Sequence, residues 1–374
     1  MRRVYTNGNQ AIAEAALTAG LKFYAGYPIT PSSEIMEYLA EKLPKYGGLM
    51  IQFEDEIASI NAALGASWAG AKSMTATSGP GFSLMVEGIS LGVITETPVV
   101  IVYVMRAGPA TGVPTKSGQS DILQARFGAH GDYIIPVYAV SSVQEAYDLT
   151  IKAFNTAEYL RTPVILLSDA IIAHLWETGV FRERGEVEII ERRKPSVPPE
   201  EYQPYLPDDN GVPPMAVFGE GYSVIVESLT HDERGIYSQD TMVQRRMINR
   251  IVRKILDHIN YIFEYDTYYL DDAEYVFISF GSSARSTLAI VRDLRKEGYR
   301  TGMIKLKTLW PLFDDEIKKL CRNAYKIFVV ENNIGKLVMD IQRIIRDREV
   351  ISIAIIDLDL PKPDEIKNMV IKWL

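Results

Sequence analysis

A single cysteine, Cys321, in 374 residues excludes an intrachain disulfide, a cysteine-ligated iron–sulfur cluster and a multi-cysteine zinc site built from this chain alone. Histidine is nearly as scarce: His130, His174, His231 and His258 stand far apart, without metal-ligand spacing. No apolar run is long enough to cross a bilayer, and Met1-Arg2-Arg3-Val4-Tyr5-Thr6-Asn7-Gly8 has neither an apolar segment nor a cleavage-like site. A cytoplasmic location without membrane attachment is therefore expected. Basic charge is in deficit, 40 Lys+Arg against 48 Asp+Glu for a formal net charge of -8, which disfavours a general nucleic-acid or anionic-membrane binder.

What the chain does have is apolar material, 47% of residues against 24% charged, enough for two or three globular domains with ample core. From residue 9 to about 169, helical patterns alternate with short apolar runs, which predicts an α/β fold with a parallel sheet covered by helices. Strands are expected at 22–26, 49–53, 73–77, 99–105, 134–140 and 164–168. A first helix runs from Gln10 to Ala19 and stops at Gly20, and a later one opens on a Ser142/Glu145 capping box. After Glu186 come Lys194-Pro195-Ser196-Val197-Pro198-Pro199, Pro204, Pro207 and Pro213-Pro214, too proline-rich for a helix or central strand. This stretch reads as a linker or an arm lying on another surface. An amphipathic helix follows, with Ile248, Ile251, Val252, Ile255, Leu256 and Ile259 at helical spacing. A second α/β unit begins at 275–280 and continues through strands near 303–306, 326–330 and 351–356. The expected division is 1–190, 191–271 and 272–374.

In doubly wound sheets ligands bind beyond the carboxyl ends of the strands, so the residues after each strand are the candidates. The first such stretch is Gly26-Tyr27-Pro28-Ile29-Thr30-Pro31-Ser32-Ser33-Glu34. Read as a helix start, Thr30 is the N-cap and Pro31 the first helical residue. The amides of Ser32 and Ser33, the Thr30 hydroxyl and the positive helix end then converge on a point suited to a small anion such as a carboxylate. The second strand ends in Glu54-Asp55-Glu56 and leads into a helix of very small residues, which lets a neighbour or a flat ring approach closely. The third runs into Thr77-Ser78-Gly79-Pro80-Gly81, whose glycines permit close backbone approach to a ligand; it is not a Gly-x-Gly-x-x-Gly fingerprint and no Walker lysine follows. Arg106 ends the fourth and can grip a carboxylate through two parallel N–H···O bonds. The connection from Ala107 to Asp132, with Thr115 and Lys116, is long enough for a lid or binding loop. Each feature has a plainer account: a capped surface helix, acids compensating a helix dipole, an arginine in a surface ion pair. Gly281-Ser282-Ser283 likewise suits a phosphate at a helix start or a mere connection.

Taken together, Tyr27-Pro28-Ile29-Thr30-Pro31-Ser32-Ser33-Glu34, Glu54-Asp55-Glu56-Ile57-Ala58, Thr77-Ser78-Gly79-Pro80-Gly81 and the run from Arg106 to Thr115 resemble the alpha subunits of 2-oxoacid:ferredoxin oxidoreductases, above all the 2-oxoglutarate type. The part from Asp272 resembles the transketolase C-terminal-like domain of the same family. The resemblance implies a parallel-sheet pyrimidine-binding domain for thiamine diphosphate followed by a smaller transketolase C-terminal-like α/β domain. It also implies oxidative decarboxylation of a 2-oxoacid to acyl-coenzyme A and carbon dioxide, with electrons passed to ferredoxin. Pyruvate and branched-chain 2-oxoacids stand as alternatives to 2-oxoglutarate.

In this family a glutamate hydrogen-bonds the N1′ atom of the aminopyrimidine, a task that needs a carboxylate in a dry pocket. The resemblance places it at Glu56, which Ala58, Ala62, Ala63 and Gly65 follow as small residues follow that glutamate in related thiamine enzymes; Glu54 is the alternative. It places Thr30 and Arg106 at the substrate carboxylate with Ser32 beside them, and Thr115 and Lys116 toward a second carboxylate if the substrate is 2-oxoglutarate. Pro28, Ile29, Thr30, Glu56, Ser78 and Gly79 would line the cofactor. A Gly-Asp-Gly followed by paired asparagines, the pattern that holds magnesium and the diphosphate, is missing. Thiamine diphosphate is therefore expected to be shared with a beta subunit that carries Mg2+ and a [4Fe-4S] cluster, with no metal on this chain. That beta subunit, ferredoxin, the 2-oxoacid and coenzyme A are the expected partners, and the chain alone is expected to be silent. Two rival readings remain: a nicotinamide-dependent dehydrogenase, which lacks its glycine fingerprint, and a structural or regulatory subunit that kept the fold and lost the chemistry.

Overall fold

In the computed structural model, which describes all 374 residues, the first half of the chain runs β1 (Arg2–Asn7), α1 (Gly8–Ala19), β2 (Phe23–Gly26), α2 (Ser33–Lys42), β3 (Leu49–Gln52), α3 (Glu56–Trp68), β4 (Ser73–Thr77), α4 (Gly79–Ile94), β5 (Val99–Met105), α5 (Ile122–Phe127), β6 (Val137–Ala139), α6 (Val143–Leu160), β7 (Pro163–Asp169), α7 (Ala170–His174) and β8 (Trp176–Phe181). After a long irregular stretch come α8 (Thr241–Leu256), α9 (Ile259–Ile262) and β9 (Tyr265–Tyr268). The remainder is β10 (Tyr275–Ser279), α10 (Ser283–Lys296), β11 (Thr301–Leu306), β12 (Thr308–Trp310), α11 (Asp314–Leu320), β13 (Lys326–Glu331), α12 (Leu337–Ile344), β14 (Glu349–Ala354) and α13 (Pro363–Val370).

Strands β5 and β7 are buried at every position, which is what continuous apolar runs become in a parallel sheet covered on both faces. They sit in the middle of a seven-stranded sheet of order β12-β6-β7-β5-β4-β2-β3. All neighbours are parallel except β12, which lies antiparallel on β6 with Thr308 opposite Tyr138. Alanine-rich α1 packs with α2 and α6 on one face, and α3 and α4 cover the other. The second sheet, β14-β13-β10-β11-β9, is parallel but for β9. A single apolar cluster of 40 buried residues reaches from Ile60 and Tyr103 to Ile278 and Val329, so the two sheets share one core. No helix is long and apolar enough to cross a membrane.

The expected strands at 73–77 and 99–105 coincide with β4 and β5, and the others are displaced by a few residues at their ends. Four strands were not expected. Strands β1 and β8 pair only with each other, while β9 (YDTY) and β12 (TLW) are too short to alternate visibly. The capping box at α6 is half formed: Ser142 Oγ accepts the Glu145 N–H, but the Glu145 carboxylate turns to the amide and hydroxyl of Ser141.

The proline-rich stretch is an arm laid on the first domain, and buried arginines hold it there. Prolines cannot donate in a backbone ladder, and in a stretch that forms neither helix nor strand the carbonyls need partners from elsewhere. Arg161, 1% exposed, gives one guanidinium nitrogen to the carbonyls of Pro204, Pro213 and Pro214 at 3.0, 3.2 and 3.0 Å. Arg192 pairs with Glu158 at 2.8 Å and donates to the Ser67 carbonyl. Below them Glu96, fully buried, accepts a two-bond fork from Arg250 and a third bond from Lys254, fastening α8 to the end of α4.

Burial alone would raise the Glu96 carboxyl, but the Arg250 and Lys254 charges outweigh it and hold it well below the usual carboxylate range. A depressed folded-state pKa contributes stability that is present above the unfolded value near 4.5 and is lost as pH falls through the folded value. Glu96→Gln should therefore cost about 3–5 kcal/mol at pH 7, because it strands two buried cations. In urea unfolding measured across pH, the gap to the wild type should narrow below about pH 4.5.

Candidate functional site

The first sheet reverses its winding between β2 and β4: from β2 the chain moves outward to β3, and from β4 it moves the other way to β5. Such a switch point opens a crevice at the carboxyl ends of the strands, where ligands bind in doubly wound sheets. Four segments meet there: 27–33 after β2, 54–56 after β3, 77–81 after β4 and 106 after β5.

Glu56 is placed by helix capping. Asp55 adopts an extended backbone and its side chain accepts the Ala58 N–H at 2.8 Å, so α3 begins at Glu56. The Glu56 side chain turns inward and is 3% exposed. Its one side-chain hydrogen bond comes from the Thr77 hydroxyl, at 3.2 Å to Oε1. A methyl group on Gly81 would stand 2.0 Å from Glu56 Oε1 and 2.1 Å from Thr77 Oγ1, so only glycine lets α4 close over the pair. Burial raises the Glu56 carboxyl above its ordinary value, and the hydrogen bonds it receives offset this in part. Glu54, in contrast, is exposed.

The segment after β2 corrects one expectation. Helix α2 starts at Ser33 with Ser32 before it, and Thr30 and Pro31 lie outside the helix. Ser32 spends both its polar groups locally, its amide and its hydroxyl each donating to the Ile29 carbonyl at 2.9 Å. The turn that the helix-start reading took for an open amide cradle thus closes on itself. Asn9, fully buried on α1, braces it from behind through the Pro31 carbonyl and the Glu34 carboxylate, at 2.8 and 2.9 Å. Pro28 and Thr30 face outward, exposed, with Ile29 half-buried.

Arg106 supplies the charge instead. It is 6% exposed, and Nη1 donates to the Thr30 carbonyl at 2.7 Å, which joins the β5 end to the β2 turn. Its Nε is buried without a partner, as is the Ser78 hydroxyl. Burial weakens the guanidinium's hold on its proton, and the carboxylates of Asp121 and Glu56 offset that in part. Gly79 leaves space toward Asp121 and Tyr103, whose oxygens would be 3.8 and 3.9 Å from an added methyl group. Burial also raises the Asp121 carboxyl. The Thr77–Gly81 turn was singled out from sequence as a ligand approach, but not the contact of Thr77 and Gly81 with Glu56; Asp121 was not singled out, since it lies inside the long loop and nothing in its spacing marks it as turned toward Gly79.

The long loop folds back on Arg106. Ala107 N–H donates to the Lys116 carbonyl at 3.0 Å and Val113 N–H to the Ala107 carbonyl at 2.9 Å. Thr115 is exposed, and Lys116 Nζ sits 2.7 Å from the Asp359 carboxylate. The Gly281-Ser282-Ser283 turn is no open phosphate site: the Ser282 amide donates to Asp169 at 3.0 Å and the Ser283 hydroxyl to Gln119 at 2.6 Å. Cys321 is buried and its thiol pushed up to about 12 by that burial, which leaves it unreactive. No group of three or more His, Cys, Asp or Glu side chains is arranged to hold a metal ion.

Residues 14–250 match the family described as pyruvate flavodoxin/ferredoxin oxidoreductase, thiamine diphosphate-binding, and residues 273–365 match pyruvate:ferredoxin oxidoreductase core domain II. The chain is 46% identical to the 2-oxoglutarate synthase subunit KorA of Methanocaldococcus jannaschii, over 99% of this chain and 100% of that one. Identity to the ketoisovalerate oxidoreductase subunit VorB of Methanothermobacter thermautotrophicus is 35%, over 90% of this chain and 88% of that one. Among solved structures, the 2-oxoglutarate:ferredoxin oxidoreductase from Magnetococcus marinus, with 2-oxoglutarate, coenzyme A and succinyl-CoA bound, superposes at a TM-score of 0.95 with 33% identity. That match covers 99% of this chain, which spans 65% of the longer one. An inactive split-gene transketolase tetramer shares the fold at a TM-score of 0.55 and 12% identity.

A raised carboxyl pKa in the folded state carries a sign opposite to that of Glu96. The cost of ionising Glu56 is absent below the unfolded value near 4.5 and grows as pH rises through the folded value. Without added cofactor, Glu56→Gln should melt at or above the wild-type temperature at pH 7, and the difference should close toward pH 4, as read by thermal unfolding.

Proposed function

This chain belongs to the pyruvate flavodoxin/ferredoxin oxidoreductase family, and on that premise we propose that it is the alpha-type subunit of a 2-oxoacid:ferredoxin oxidoreductase that acts on 2-oxoglutarate. The carrying observation is the Glu56 carboxylate, 3% exposed at the switch point with one hydroxyl as its side-chain partner. Relatives named 2-oxoglutarate synthase subunit stand at 41 to 46% identity, above the ketoisovalerate relative at 35%, and this supports 2-oxoglutarate over a branched 2-oxoacid. The retained acid and arginine argue against a subunit that has lost its chemistry.

The residues fit one half of thiamine diphosphate: a dry carboxylate, an orphaned buried Ser78 hydroxyl, and the Gly79 backbone open to approach. When bound, that cofactor supplies the nucleophilic carbon and the electron sink for decarboxylation. Glu56 holds a proton between its carboxylate and the N1′ atom of the pyrimidine, and its dry pocket keeps that proton from water. Gly81 and Thr77 fix the carboxylate in place. Pro28, Ile29, Thr30, Ser78 and Gly79 are the residues that would hold the pyrimidine.

Arg106, tethered to Thr30 by one nitrogen, presents the rest of its fork to the substrate's 2-carboxylate and so orients the keto carbon. Ser32 shapes the turn that carries Thr30 and does not itself offer an amide. Thr115 and Lys116 serve the distal carboxylate of 2-oxoglutarate. The Lys116–Asp359 pair is well exposed, and a pair of that kind contributes only about 0–1 kcal/mol, so Lys116 is readily exchanged to a substrate. Mg2+, the diphosphate grip and a [4Fe-4S] cluster belong in this reading to a beta subunit that covers the crevice. Ferredoxin and coenzyme A are the remaining partners, and the setting is cytoplasmic.

The co-purified complex, assayed with a viologen acceptor over several 2-oxoacids, should prefer 2-oxoglutarate; preference for a branched 2-oxoacid would shift the assignment within the family. Glu56→Gln should lower turnover by about 10²–10⁴-fold with the complex intact, and wild-type turnover would reduce the residue to dipole compensation. Lys116→Ala should raise the KM for 2-oxoglutarate more than for 2-oxobutyrate, and equal effects would remove Lys116 from the site.

A further inference from the structure

Loop 107–118 rests against the backbone that carries Arg106. The Ala107 amide is bonded to the Lys116 carbonyl at 3.0 Å, and a methyl group on Gly118 would lie 3.2 Å from the Arg106 carbonyl oxygen. Immediately beyond, the chain meets the second sheet. There β10 and β13 are neighbours from which the chain winds in opposite directions, to β11 on one side and β14 on the other. A second switch-point crevice therefore opens at their carboxyl ends, the place where a doubly wound sheet takes a ligand. In this molecule the first domain fills it, with Gln119.

Gln119 is fully buried, and every hydrogen-bonding position of its side chain is used. Nε2 donates to Asp169 Oδ2 at 3.3 Å and to the Phe280 carbonyl at 3.2 Å. Oε1 accepts from the Ser283 hydroxyl at 2.6 Å and the Asn332 amide at 3.0 Å. The backbone adds two bonds, Gln119 N–H to the Asn332 carbonyl at 3.0 Å and Asn333 Nδ2 to the Gln119 carbonyl at 2.9 Å. Gly281, at φ +56°, makes the room: a methyl group there would come 2.5 Å from Gln119 Nε2. On either side the Ser117 amide donates to the Leu358 carbonyl at 3.0 Å, and Lys336 donates to the Ser120 carbonyl.

We propose that Gln119 is a positioning residue for substrate binding: seated in the crevice of the second sheet, it fixes loop 107–118 and, through that loop, the Arg106 guanidinium at the first. The proposal rests on the reading that Arg106 holds the substrate carboxylate. Only an amide offers two donors and two acceptors in this plane. A glutamate of the same shape would set a second carboxylate about where Nε2 now meets Asp169, and a methionine of similar volume would remove all four side-chain bonds and leave the Ser283 hydroxyl and the Asn332 amide without their acceptor. The consequence is functional dependence of the first domain's site on a residue that never touches substrate.

Gln119→Glu and Gln119→Met in the assembled complex test this through two readouts. Hydrogen–deuterium exchange should quicken in peptides covering 107–118. The KM for 2-oxoglutarate should rise roughly tenfold or more, since displacement of a binding group by about 1 Å can cost up to a hundredfold, while kcat changes much less. Should these variants fail to assemble, Ser283→Ala removes one of the four side-chain bonds from the far wall of the crevice and should move KM the same way by a smaller factor. An unchanged KM, whether or not the loop exchanges faster, overturns the proposal, and so does a lowered melting temperature with loop exchange and KM both unaltered. A wild-type complex that turns over no 2-oxoacid would overturn the function proposed above, and loop exchange would still decide whether Gln119 holds the loop.

Discussion

A carboxylate kept away from water with one hydroxyl for company is costly to maintain, and the crevice between β2 and β4 is arranged around that cost. Asp55 takes the capping duty that would otherwise fall to Glu56, which frees the latter to turn inward. Gly81 surrenders its side chain so that α4 can lie over the carboxylate. Thr77, at the last position of a fully buried strand, gives the one side-chain donor. A globular protein has no structural reason to concentrate these concessions on one acid. They make sense when a ligand atom completes the hydrogen bonding and shares the proton.

The alternation of apolar runs with helical patterns made the parallel sheets legible, because β-branched runs such as Val99–Met105 have nowhere to go but a strand buried on both faces. The candidate residues were legible as the amino acids that follow each strand, and Glu56, Ser78 and Arg106 do stand at one crevice. The details of the β2 turn were not. Capping grammar favours Thr30 followed by Pro31, yet Ser32 closes on Ile29 and α2 starts two residues further on, since a local turn and the Asn9 brace compete successfully with the helix. Gln119, Asp121 and the Glu96 network were illegible for another reason. The partners of Gln119 and Glu96 lie 50 or more residues away in sequence, and Asp121 meets Tyr103 and Gly79 across intervening elements, so no local pattern encodes these meetings.

Polar groups do much of the work of joining the parts. Arg161 satisfies the carbonyls of a segment too rich in proline to satisfy itself, and Arg192, on the segment, bonds Glu158 and the Ser67 carbonyl, which turns a stretch without helix or strand into a fixed layer over the first domain. Glu96 fastens α8 beneath that layer. Asp169 ends β7, caps α7 through the Ile172 amide and accepts from the Ser282 amide at the start of α10, so a single carboxylate touches both sheets. Buried ionic contacts of this kind add little net stability over apolar packing but penalise every alternative arrangement, and they suit a joint whose geometry must be unique.

Strand β12 carries a consequence for how this chain can be divided. Thr308–Trp310 belongs by sequence to the later part of the molecule and by pairing to the outer edge of the first sheet, against β6. A gene cut between the halves would leave β6 with a bare row of amides and carbonyls, an invitation to stray strands from other molecules. The two halves are thus stitched rather than strung together, and any ancestral fission or modern dissection at that seam would have to supply a substitute thread.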